Sequence, residues 1–283
     1  MIINKYFNWI KERHNIYKKK ESGQPKPWTS DPIFLDYKFC NPFRENDKTT
    51  KWFRENIRDP DRDSPDILMD TVIFRWFNYI PTATKLMEHD LLHNWDSDIA
   101  IRILDTAEKL ITGAYVIKTP DGMNKRIGIS WCIDNVWSKK EDTISYILGS
   151  KSLQKSTEYL TKFPFIGNFM SYEIVTDLRY TYLLDNATDI LTWANVGPGA
   201  KRGLNRVHER PIGYNQKTGL FVDEMQNLLS ISRDYLPSNF PRVEMRDIEH
   251  SLCEFDKYER IRLGEGHMKN RYNGRQKINR KLW

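Results

Sequence analysis

The chain has 283 residues, 39% of them hydrophobic and 29% charged, which supplies a sizeable core and excludes wholesale disorder. A formal charge of +6 leans towards a polyanionic partner without demanding one. No apolar run is long enough to span a bilayer, no signal core opens the chain, and Cys40, Cys132 and Cys253 are too far apart for a zinc or iron–sulfur spacing. A cytoplasmic protein with free thiols is therefore expected, with no membrane partner, no metal and no other cofactor.

In chain order, Ile3, Phe7 and Ile10 predict a first helix that runs into a basic stretch. Ser22 to Asp31, rich in Pro and polar residues, reads as a linker. KTTKWFRENIRDP predicts a short helix stopped by Pro60, and SPDILMDTVIFRWFNYIPT another, with Pro65 near its start and Pro81 at its end. SDIAIRILDTAEKLIT predicts a longer helix capped by Ser97, with Ile99, Ile103, Ala107 and Leu110 on its apolar face. The pattern loosens between Thr112 and Trp137, where TPDG signals a turn and a small β-hairpin is expected. Helical spacing returns at 142–148 and 152–161, and again in VDEMQNLLSISRDYL and VEMRDIEHSLCEFDKYERIR. The tail carries Lys269, Arg271, Arg275, Lys277, Arg280 and Lys281, a source of salt-sensitive affinity for DNA. The expectation is a mostly α fold: a helical extension and linker at 1–60, a helical core at 61–264 and a basic tail at 265–283.

Four constellations bear on chemistry. Leu160 and the turn FPFIG, followed by a helix near Asn168, have the layout of a helix–hairpin–helix, in which the amides of the second helix grip a DNA phosphate whatever the base sequence. Phe165 stands where the usual turn has its first Gly, so Phe165, Gly167 and Asn168 are the DNA-contact candidates. Asp177, an acid on an apolar helix face, is either paired, with Arg179 or Lys162 as partner, or able to stabilise an oxocarbenium ion at a sugar. Asp185 and Asp189 are its rivals, and the three are not separated by the residues alone. In NVGPGAKRGLNR, glycines including Gly199 permit close backbone approach while Lys201, Arg202 and Arg206 supply charge for phosphate. On the late helix, Glu249, His250, Cys253, Glu254 and Lys257 fall on neighbouring turns, partly as a salt-bridged face and partly lining a pocket.

FRWFNYIPT, FPFIGNFMSYEIVTDLRYT, GPGAKRGL and EHSLCEFDKYER occur in this order and together resemble the alpha-glutamyl/putrescinyl thymine pyrophosphorylase family, also described as the helical domain attached to hydroxymethyluracil DNA kinases. The similarity covers roughly residues 65 to 275. It implies a helical, DNA-glycosylase-like fold acting on 5-substituted pyrimidines in double-stranded DNA, in phage hypermodification or in defence against phages with modified DNA. Motif by motif it points to Asn168 and Asp177, to Lys201 and Arg202, and to Glu254 with Lys257. No nucleotide-binding motif appears, so the kinase domain fused in some relatives is not expected within these residues. Three functions follow. A glycosylase would flip a modified base into a pocket walled by Trp76, Phe77, Tyr172 and Trp193, with Glu254 nearby, and excise it. A transferase would replace pyrophosphate on the base with an amino acid or polyamine, using Lys201, Arg202 and Lys257. A DNA-binding module would use Asp177 as a paired core acid. Excision is placed ahead of transfer, and both ahead of binding alone.

Overall fold

The computed structural model describes residues 2–113, 117–266, 272, 274 and 275. Most of the tail, including Lys269, Arg271, Lys277, Arg280 and Lys281, lies outside the described residues. The chain forms two compact units, Met1–Asp47 with Leu191–Trp283, and Lys48–Ile190. The first helix and the last ones thus share a unit.

In the first unit, helix α1 (Ile2–Glu21) runs straight through the basic stretch and buries Tyr6, Phe7, Trp9, Ile10 and His14. The expected linker ends at Asp31, whose carboxylate accepts from the Ile33 and Phe34 amides and so caps α2 (Pro32–Asp36).

The second unit opens with α3 (Lys48–Phe53), continued by a π-helical turn at Arg54–Arg58. Every residue of α4 (Ile67–Phe77) is buried, so this helix is the unit's axis. Burying a Leu, Ile or Phe contributes about 1.5–3 kcal/mol each, which makes α4 the unit's largest apolar investment. Pro81 does not end α4. Asn78 ends it in a left-handed conformation (φ 44°), and Pro81 sits in the first turn of α5 (Ile80–Glu88), where its missing N–H is harmless. The next helix, α6 (Ser97–Ile103), is shorter than its apolar pattern suggests, and Asp96 rather than Ser97 caps it. Beyond it Arg126 donates to the Leu104 carbonyl and pairs with Asp105, closing the helix end with side chains from elsewhere.

No β-hairpin stands between 112 and 137: among the described residues there is no β-strand. The segment forms α7 (Lys125–Trp137), capped by Asn124 and burying Ile129, Cys132, Ile133 and Val136, a helical period of three and four. Then come α8 (Lys140–Ser150), α9 (Leu153–Leu160) and α10 (Asn168–Leu178). Within this unit α4 packs on α5, α7, α8 and α10, and α9 packs on α10.

The chain then returns to the first unit with α11 (Pro198–Val207), α12 (Thr218–Tyr235) and α13 (Met245–Arg262). There α11 and α13 lie in close contact, flanked by α1 and α12. The glycine-bearing stretch NVGPGAKRGLNR enters and forms most of α11. A Cβ on Gly199 would fall 2.5 Å from the Cys253 sulfur, and one on Gly203 would fall 2.8 Å from the Leu252 carbonyl carbon. These glycines let two backbones approach.

Candidate DNA-binding hairpin and carboxylate sites

The hairpin is built from α9, the turn 161–167 and α10. Ser152 caps α9 by accepting from the Lys155 amide, and the turn is closed by the Phe163 amide on the Leu160 carbonyl and the Ile166 amide on the Phe163 carbonyl, each at 3.2 Å. Phe165 takes the left-handed conformation (φ 63°) that the usual first Gly would adopt at no steric cost. The residue stays 44% exposed, and its ring meets Trp131 edge-on, with centroids 6.1 Å apart. Gly167 occupies the cap position of α10 and brings no side chain to the helix start; the space where a Cβ would stand is open. Asn168 and Phe169 are exposed beside it.

The three candidate acids have different surroundings. Asp177 has no exposure, and Arg75 of α4 holds it from both sides: Nη2 donates to Oδ1 at 2.8 Å and Nε donates to Oδ2. The partner is therefore Arg75, a residue 102 positions away, rather than Arg179 or Lys162. Asp185 is part-exposed and accepts from Arg62 Nη2 at 3.1 Å and Asn186 Nδ2 at 2.7 Å. Asp189 sits on the N-terminus of α9, accepting from the Leu153 amide at 2.7 Å, the Gln154 amide at 3.0 Å and the Ser152 hydroxyl at 2.7 Å. Those three donors fix the direction of the carboxylate at the helix start.

The expected aromatic wall divides. Trp76, Phe77 and Tyr172 are buried in the second unit, whereas Trp193 and Glu254 belong to the first. Glu254 is buried and accepts from Lys257 and from the Cys40 amide at 2.9 Å. Burial pushes its carboxyl up, but Lys257 and His250 outweigh burial and hold it below the usual range. The cations meant for phosphate also have protein partners. Arg202 and Arg206 donate to Asp256 at 2.8 and 2.7 Å, and Lys201 lies 5.3 Å over the Phe221 ring.

A second group of carboxylates escaped the sequence reading. Asp70, in the first turn of α4, has no exposure, and neither of its oxygens has a hydrogen-bond partner. His93, in the turns after α5, places Nε2 3.6 Å from Asp70 and 3.3 Å from Asp61. Burial pushes the Asp70 carboxyl up to about 7, with His93 pulling the other way. The signal was present: ILMDTVIFRWF carries an acid inside an apolar run, the same feature that singled out Asp177.

No solved structure matches this chain. Among curated proteins it is 27% identical over 284 residues to a 5-hmdU DNA kinase of Bacillus phage SP10, covering 89% of this chain and 44% of that protein; it thus spans less than half of the relative's length. No helix among the described residues is long and apolar enough to cross a membrane. Residues 1–268 match the family model described as 5-hmdU DNA kinase, helical domain, and the chain belongs to that family.

Proposed function

We propose that this chain is a DNA glycosylase that grips duplex DNA with the α9–α10 hairpin and excises a 5-modified pyrimidine, leaving an abasic site. The relative's name supports a modified uracil in DNA as the kind of target. The observation that carries the reading is the seating of Asp189. Its carboxylate is fixed by three donors on the N-terminus of α9, the first helix of the hairpin. That helix has eight residues and spans about 12 Å, so acid and phosphate grip ride on one short, stiff element.

In the reaction the C1′–N bond of the flipped nucleotide breaks, and the bonding pair leaves with the base, which gains a proton. The Asp189 carboxylate stabilises the oxocarbenium ion, and water adds to C1′ and loses a proton, which balances the hydrolysis. Asp185 is the reserve acid, being accessible but held less firmly. Asp177 stands last, because a carboxylate sealed under a guanidinium has no path to a sugar. Exposed Phe165 and Phe169 at the hairpin tip suit contact with the duplex near the extruded base. Excision is favoured over transfer because Arg202 and Lys257, two of the three cations a departing pyrophosphate would need, are already engaged with Asp256 and Glu254, while Lys201 lies over the Phe221 ring.

The test incubates the protein with matched duplexes carrying cytosine, hydroxymethylcytosine, glucosylated hydroxymethylcytosine, hydroxymethyluracil or its pyrophosphorylated form, with amino acids and polyamines present. Mass spectrometry should find a freed modified base and an abasic site. Asp189→Asn, which keeps a cap acceptor, should lose excision by roughly 10²–10³-fold while DNA affinity persists. Wild-type excision by that variant removes Asp189 from the mechanism. Loss of pyrophosphate with gain of an amine replaces excision by transfer.

A further inference from the structure

The second unit holds a cluster that the excision reading does not use. Asp61, Asp70 and His93 each offer one ligand atom, and these atoms all lie within 4.8 Å of one another. We propose that they bind a divalent transition-metal ion, with Asp61 Oδ2, Asp70 Oδ2 and His93 Nε2 as its protein ligands.

Three observations support this. First, Asp70 is sealed from solvent, yet neither oxygen has a hydrogen-bond partner. A buried carboxylate without compensation is among the most costly groups a core can hold, and a cation supplies what the surrounding side chains do not. Second, the spacing is that of a ligand set. Ligand atoms about 2.0–2.2 Å from a tetrahedral zinc stand about 3.3–3.6 Å apart, and His93 Nε2 is 3.3 Å from Asp61 Oδ2 and 3.6 Å from Asp70 Oδ2. Third, the other ring nitrogen of His93 lies 3.4 Å from Asp90 Oδ1, the carboxylate–imidazole arrangement that fixes the tautomer of a metal-bound histidine. Lys140, the nearby ammonium, is paired with Asp66 and leaves the cluster with excess negative charge.

One imidazole with two carboxylates suits Zn²⁺ or Mn²⁺. The nitrogen ligand disfavours Ca²⁺ and Mg²⁺, and the lack of sulfur disfavours Cu⁺. Three protein ligands leave a position for water or an anionic oxygen, and the His93 side chain, 40% exposed, puts that position within reach of solvent. Two turns and the start of α4 would be tied together by the ion. The site requires neither the hairpin nor Asp189, so it stands or falls apart from base excision.

Cys40, Asp47 and His250 in the first unit lie equally close together, so the test uses the Cys40→Ser chain, stripped with chelator. It is titrated with Zn²⁺ and Mn²⁺, and with Co²⁺ as a spectroscopic probe. The expected result is one equivalent of bound metal, a rise in Tm on loading, and a Co²⁺ spectrum without a thiolate charge-transfer band. Asp70→Asn and His93→Ala should abolish that equivalent and the Tm rise, while Asp90→Ala should weaken binding roughly 10–100-fold. Metal-free Asp70→Asn should melt no lower than its parent, which separates loss of the site from loss of the fold. Failure of the parent to retain any of the three metals overturns the proposal, as does unchanged affinity in Asp70→Asn and His93→Ala.

Discussion

Asp70 and Asp177 are both sealed from solvent in the second unit, and both lie on helices whose residues are almost all buried. Asp177 meets a bidentate guanidinium from Arg75, itself steadied by Asn78 at 3.1 Å and Glu173 at 3.6 Å. Asp70, little more than one turn before Arg75 on the same helix, meets no hydrogen-bond donor and faces an imidazole and a second carboxylate. Burial therefore does not distinguish a structural acid from one that awaits a ligand; the partners do. An acid that a buried arginine already satisfies holds two helices together, and an acid left unsatisfied leaves room for a ligand to supply what the core does not.

The contrast is broken most severely at Arg75. Arg75→Ala leaves Asp177 buried without compensation and should cost about 3–5 kcal/mol in urea unfolding. Combining Arg75→Met with Asp177→Leu should recover most of that loss, because the pair's desolvation disappears with it. A single-variant cost below about 1 kcal/mol would show that the pair does not lock α4 to α10.

The first unit supplies a basic counterpart to Asp70. His14 is 4% exposed, its Nδ1 has no hydrogen-bond partner, and it packs against the rings of Phe43 and Phe240. Burial, with Lys18 and Arg13 adding to it, lowers its pKa to about 4. The native imidazole stays neutral while the unfolded chain takes up a proton below about pH 6.5, so this contribution to stability is lost as pH falls from about 6.5 to 4. The loss is on the order of 3 kcal/mol at most, and His14→Leu should remove that part of the pH dependence of the urea midpoint. Parallel pH profiles for the two proteins would refute it.

The smallest effects separate two glycines. Gly203→Ala should cost about 1–3 kcal/mol, because the new Cβ meets the backbone of α13. Gly167→Ala meets open space at an ordinary φ of −86° and should be neutral or slightly stabilising. If the hairpin grips phosphate, Gly167→Ala should nevertheless weaken binding to unmodified duplex, measured by fluorescence anisotropy, and Gly203→Ala should not.

The sequence by itself determined the mostly α architecture, the presence of α1, α4, α10, α12 and α13, and the turn that joins α9 to α10. These follow from helical apolar spacing and from residues such as Pro65, Pro164 and Gly167 that act within one or two turns. The same local logic failed where an end or partner comes from far along the chain. Arg126 closes α6, α7 forms where a hairpin was expected, and the glycines near Lys201 pack against a helix about 50 residues later. Whether Asp177 was paired, and by what, depended on the docking of α4 against α10. The grouping of Asp61, Asp70 and His93 depended on two turns folding back over the start of α4. Periodicity encodes which face of a helix is buried; only tertiary packing decides which charges a buried face will meet, because electrostatic partners are chosen by distance in space and not along the chain.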